Sequence, residues 1–131
     1  MPTVRNVLAP SPVAAPGGNF ALGIQTERFV FSGGQIGTDQ ETGRLAPTLD
    51  GQIRCAVKNL EEVLLAGGSG LEHIVKTTCF LSDIASFQEF NDVYGELIPT
   101  PFPARSTVGV QLAGELLFEI EAVALVKEEN R

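Results

Sequence analysis

Apolar positions along the chain follow two different periods. Ile53, Ala56, Val57, Leu60, Val63 and Leu64 recur at helical spacing and Gly67-Gly68 follows them, which predicts a helix over residues 50–66. A second helical stripe aligns Phe87, Phe90, Tyr94, Leu97 and Ile98. It opens at Ser86 with Glu89 three positions on, the spacing of a capping box. Between and around these stripes the pattern turns to β-branched and alternating. Strands are predicted over 20–26 and 28–32, joined tightly at Glu27-Arg28, and over 73–81, 105–110 and 117–126. Gly33-Gly34 breaks the second of them, residues 38–43 read as a turn-rich loop, and residues 1–18 as irregular with a short strand at 3–8. The order strands, helix, strand, helix, strands implies one α+β domain over 1–131, with both helices on one face of a sheet.

That arrangement leaves a face uncovered. The 73–81 strand carries apolar residues at both parities, with Val75, Cys79 and Leu81 against Ile74 and Phe80. Two helices bury only one side, and a large exposed apolar patch usually signals association. A closed homo-oligomer is expected, with small-molecule clefts at its subunit interfaces.

Composition narrows the function. With 44% apolar and 19% charged residues the chain is globular. No apolar run approaches the ~20 residues of a membrane span, and VLAPSPVAAPGG is too broken by proline for a signal-peptide core. Two cysteines, Cys55 and Cys79, suit a reduced cytoplasmic chain better than a disulfide framework, and both read as small core residues. A single histidine, His73, gives little support to a triad or a histidine metal site and reads as a surface residue. The net charge of −7 disfavours nucleic-acid binding, which depends on neutralising phosphates.

Candidate chemistry concentrates in FPARSTVGV, residues 102–110. Arg105 follows Pro99, Pro101 and Pro103, so its guanidinium leaves the chain where backbone freedom is low. Its planar fork pairs with a carboxylate in a way lysine cannot imitate. A structural salt bridge to Glu119 or Glu121 is an equally good local reading. Those two glutamates share a strand face, amid apolar neighbours that point to at least one being internal. Ser106 and Thr107 read locally as strand hydroxyls, and Gly33-Gly34 as a bulge or a place where a ligand meets backbone.

SGGQIG at 32–37, the ETGRL turn, IVKTTCFLSDIASFQEFNDVY, FPARSTV and FEIEAVA together resemble the Rid family of reactive intermediate deaminases, also called YjgF-like proteins. The resemblance runs from about Gly18 to Val126 and keeps every element in order. It implies a chorismate-mutase-like fold with a mixed sheet, a homotrimer with a central barrel, and sites between neighbouring subunits. It further implies hydrolysis of enamine and imine intermediates to 2-keto acids and ammonia, without metal or cofactor. By the same resemblance, Arg105 binds the substrate carboxylate and Glu119 orients the attacking water, while backbone near Gly33 and Gly34 completes the pocket. Asn91 matches a family asparagine on the second helix, and Ser106 belongs to the arginine motif. Phe20 stands where the family has tyrosine and Thr107 where it often has cysteine, which removes one phenolic donor and keeps a hydroxyl. The rival readings are a trimeric protein that binds or senses small carboxylates without catalysis, and an endoribonuclease.

Overall fold

In the computed structural model, which describes residues 4–130, α1 (Leu49–Ala66) and α2 (Phe87–Leu97) pack on one mixed sheet. Its strands are β1 (Asn6–Leu8), β2 (Gly23–Gln25), β3 (Phe29–Ser32), β4 (Gln35–Ile36), β5 (Ile74–Leu81), β6 (Ala104–Gly109) and β7 (Phe118–Leu125). Spatially they run β1-β2-β3-β7-β5-β6, with β4 also against β7. β5 and β6 are parallel, joined through α2 as a crossover requires, and the other pairs are antiparallel.

α1 forms where the helical stripe predicted it. Thr48 Oγ1 accepts the Gly51 N–H at 3.1 Å, and Gly68 takes φ +76° just past the last turn, a conformation glycine adopts without a Cβ penalty. The stripe Ile53, Ala56, Leu60, Val63 and Leu64 is fully buried against the sheet. Two polar residues are buried among them. Gln52 Nε2 donates to the Ala46 and Glu115 carbonyls while its Oε1 accepts the Leu117 N–H; Asn59 Nδ2 donates to the Ile36 and Thr38 carbonyls. They stitch α1 to β4, to the loop that precedes the helix and to the approach to β7, and because every group is paired, Asn59 Oδ1 accepting Gln40 Nε2, their burial costs little.

α2 begins differently from the expectation. Ser86 makes no capping bond, because it closes a preceding 3-10 turn (Ile84–Ser86) at φ −84°, ψ 10° and not in the extended geometry an N-cap needs. Asp83 caps that turn instead, accepting the Ala85 N–H at 3.0 Å.

Strand limits also shift. Thr3, the predicted start of the first strand, lies outside the described residues, and the segment at 20–26 becomes extended only from Gly23. Another 3-10 turn, Leu71–His73, delays β5 to Ile74. β4, two residues long, is too short to show a period, and it was not anticipated.

Two bulges settle which residues face inwards. Phe31 pairs with Val123, yet Gln35 pairs with Ile120, so the β3–β4 side of β7 holds one extra residue around Gly33-Gly34. On β5, Ile74 pairs with Ala124 and Lys76 with Val123, which makes Val75 the extra residue. The slip is why Ile74 and Cys79, of opposite parity, are both buried while Val75 is exposed. Away from the helices, Val7, Phe31, Val108 and Leu125 remain between 39% and 61% exposed, so the sheet keeps an apolar face that this chain does not cover.

Candidate functional site

Arg105 sits on β6 opposite Thr77 of β5, a residue that is fully buried on the helix side of the sheet. Its guanidinium therefore enters the stripe that α2 presents. Nη1 donates to Asn91 Oδ1 at 3.0 Å. The guanidinium carbon lies 4.8 Å from the Tyr94 ring centre, 5.1 Å from Phe90 and 5.5 Å from Phe87. Phe87, Phe90, Asn91 and Tyr94 occupy helical positions i, i+3, i+4 and i+7, so one face of one helix builds the whole surround. Among the described residues no carboxylate pairs with Arg105, and the bridge to Glu119 or Glu121 is not formed. The charge is held by π faces and one amide oxygen, and its remaining N–H donors stay open to a cavity of about 350 Å³ lined by Tyr94, Gly95, Phe102 and Pro103.

Thr107 follows two positions on and shares the face of Arg105. Its Oγ1 is buried without a hydrogen-bond partner among the described residues. Ser106 alternates to the other face, opposite Thr78, and is exposed.

Glu119 belongs to a different cavity, of about 310 Å³. It lies between Phe118 and Ile120, both fully buried, so its own side chain points away from the core. The carboxylate rests against Gly34, where any Cβ would collide with Oε2. Phe20, Ile36, Asn59 and the 13–17 segment complete the walls. Phe20 is 55% exposed, on a bend where its N–H donates to the Gly18 carbonyl at 3.0 Å. The Gly33 N–H is already committed to the Leu22 carbonyl at 2.8 Å. Burial, reinforced by the like charge of Glu121, holds the Glu119 carboxyl above the ordinary glutamate value.

The structure thus joins Arg105 with Asn91, and Glu119 with Gly34 and Phe20, but it keeps the two groups apart. Arg105 aligns with Thr77 and Glu119 with Phe80, three residues or about 10 Å along β5 and of opposite parity. Sequence reasoning named Phe87, Phe90 and Tyr94 only as a core stripe. The signal that they surround a charge was their shared helical face with Asn91. Asn59, which holds the wall at Ile36 and Thr38, carried no such signal. His73 is partly exposed beside Glu72, and burial pushes the Cys79 thiol up to about 12, so that thiol stays protonated.

A mixed sheet backed on one face by two helices, with Arg105 in one cleft and a half-buried glutamate in another, defines a protein of chorismate-mutase-like fold. The chain matches the family model described as Endoribonuclease L-PSP over residues 11–126, and it belongs to that family. RutC family protein UK114 of Drosophila melanogaster is 36% identical over 124 residues, covering 93% of this chain and 90% of the relative. A 2-iminobutanoate/2-iminopropanoate deaminase of Mus musculus is 32% identical over 124 residues, covering 93% and 92%. The crystal structure of E. coli TdcF with bound serine aligns at a TM-score of 0.85 and 28% identity, covering 93% of this chain and 99% of that one. These relatives agree with the resemblance read from the motifs. Among the described residues no helix is long and apolar enough to cross a membrane.

Proposed function

We propose that this chain hydrolyses small 2-imino acids, and the enamines that tautomerise to them, giving 2-keto acids and ammonia. The observation that carries the reading is Arg105: a guanidinium held in place by aromatic rings and Asn91, with donors left over and no carboxylate partner among the described residues. A substrate carboxylate completes its bonding in a bidentate pair. Relatives named as deaminases of 2-iminobutanoate and 2-iminopropanoate support the same substrate class.

The chemistry needs only water and proton transfer. Protonation of the imine nitrogen makes the adjacent carbon electrophilic. Water held by the Glu119 carboxylate attacks that carbon, the C=N π pair moves to nitrogen, and Glu119 takes the proton that water releases. Glu119 then returns a proton to the amine nitrogen of the tetrahedral adduct. The C–N bond breaks with its electron pair going to nitrogen, ammonia leaves, and the hydroxyl gives its proton back to the Glu119 carboxylate as C=O forms. Such general acid–base assistance is typically worth ~10²–10⁴-fold. Phe20 supplies an apolar wall, Gly34 close backbone approach, and Thr107 a hydroxyl for a ligand acceptor. Ser106 and Gly33 are assigned to shaping the strand ends around the ligand.

Because Arg105 and Glu119 face opposite ways within one chain, the reading requires Glu119 of a neighbouring subunit to meet Arg105. A homotrimer whose uncovered sheet faces form a central barrel satisfies this and buries the apolar surface. The compartment is a reducing cytoplasm, where both cysteines, free in the structure, remain thiols. The net charge of −7 weighs against the ribonuclease reading.

Ammonia release from freshly generated 2-iminobutanoate, measured alongside molar mass by light scattering, tests the proposal. Turnover that follows a trimer peak is expected. A monomer with full activity would remove the shared site, and a trimer without ammonia release would leave a carboxylate-binding protein.

A further inference from the structure

We propose that Tyr94, anchored by Thr77, is a positioning residue that sets the orientation of the Arg105 guanidinium. This rests on the reading of Arg105 as a carboxylate clamp. Thr77 and Tyr94 share a hydrogen bond of 2.8 Å between their hydroxyls, and Thr77 is fully buried with Tyr94 nearly so. Thr77 is also the strand partner of Arg105. One residue of β5 therefore fixes both the backbone from which Arg105 leaves and the ring on which its head group rests.

The geometry has a physical consequence. Tyr94 is the nearest of the three rings to the guanidinium carbon, and it packs edge-on against Phe90 at 5.6 Å. Phe90 in turn meets Phe118 at 5.5 Å, so the surround is tied into the core. A carboxylate partner would fix the same angle but would occupy the donors that a substrate needs. Aromatic faces stabilise the charge and leave the N–H groups unoccupied. A long arginine side chain carries large rotamer freedom, and a clamp that wanders by ~1 Å costs ~10²-fold in rate. The Thr77–Tyr94 bond removes that freedom before substrate arrives.

The test compares wild type, Tyr94→Phe, Tyr94→Leu, Thr77→Val and Arg105→Ala. Measurements are affinity for 2-oxobutanoate, KM and kcat for ammonia release, melting temperature, and the NMR shift of the Arg105 Nε–H, which neighbouring ring currents displace. Tyr94→Leu is expected to weaken 2-oxobutanoate and raise KM about tenfold, the size of losing a desolvated cation–π contact, with a smaller change in kcat. Its Nε–H signal should move towards the value of an exposed arginine. Tyr94→Phe keeps the ring but loses its anchor to Thr77, and should fall between wild type and Tyr94→Leu in KM and affinity. A merely structural role would lower melting temperature and active fraction but leave KM and 2-oxobutanoate affinity unchanged. Should Tyr94→Leu fail to fold, Tyr94→Phe and Thr77→Val decide, since each frees the ring and should shift the Nε–H signal. Wild-type KM, affinity and Nε–H shift in the folded variants overturn the proposal. Ammonia release that survives Arg105→Ala overturns the clamp reading itself, which is a separate result.

Discussion

Gly34 lies flat against the carboxylate of Glu119, so that a single methyl group on Gly34 would occupy the space of Oε2. The contact follows from the extra residue around Gly33-Gly34, which slips β4 along β7 and sets Ile36 opposite Glu119. Gly34→Ala must move the glutamate or open the bulge. Ammonia release is expected to fall about 10²-fold, the effect of displacing a reacting group by ~1 Å, with the fold retained. A folded Gly34→Ala protein of wild-type activity would show that Glu119 does not act from this position.

Among the described residues Arg105 has no structural partner of opposite charge, so its replacement should cost activity and leave the fold intact. Arg105→Lys should fail nearly as badly as Arg105→Ala, because one ammonium cannot make two parallel N–H···O bonds. Losses of orders of magnitude are expected from both, with melting temperature and molar mass close to wild type. Rescue by lysine would count against a bidentate clamp.

Burial raises the Glu119 carboxyl, with Glu121 adding to the shift, so ionising Glu119 opposes folding. Below the ordinary glutamate value both folded and unfolded chains carry the proton, and the residue contributes no difference. As pH rises from that value through the raised folded value, the unfolded chain ionises first and stability is lost. Glu119→Gln should therefore melt like wild type in acid and above it at neutral pH, while losing activity. The acid limb of the wild-type rate profile should sit above the ordinary glutamate value. Melting curves across pH, set beside the rate profile, check both expectations. A Glu119→Gln protein that melts below wild type at neutral pH would contradict the sign.

The buried Thr107 hydroxyl meets no hydrogen-bond partner among the described residues of its own chain. An unsatisfied buried hydroxyl costs about 1–3 kcal/mol. Thr107→Val keeps the β-branched shape that suits a strand and removes that cost, so the melting temperature should rise by roughly 3–5 °C per kcal/mol gained. If the hydroxyl serves the ligand, 2-oxobutanoate affinity should fall in the same variant. Stability and binding moving in opposite directions is the expected signature, and an unchanged affinity would make Thr107 a strand residue only.

Local pattern by itself determined both helices, every strand but the two-residue β4, and the uncovered apolar sheet face, because periodicity and glycine punctuation act over a few residues. The family motifs named Arg105 and Glu119 as residues worth testing. Neither could say that the two point to opposite faces, since that depends on the registry of β6 and β7 against β5. Ser86 looked like a cap because sequence spacing does not reveal that a 3-10 turn already bends its backbone. Arg105 looked ready for an ion pair because proximity to Glu119 and Glu121 is invisible until β5 is found lying between β6 and β7. Asn59 and Gln52 are polar positions outside the apolar stripe of the first helix, yet they face inwards and bond the backbone carbonyls of Ile36, Thr38 and Glu115. Tertiary packing alone decided these, because side-chain burial and strand register depend on contacts between segments far apart in the chain.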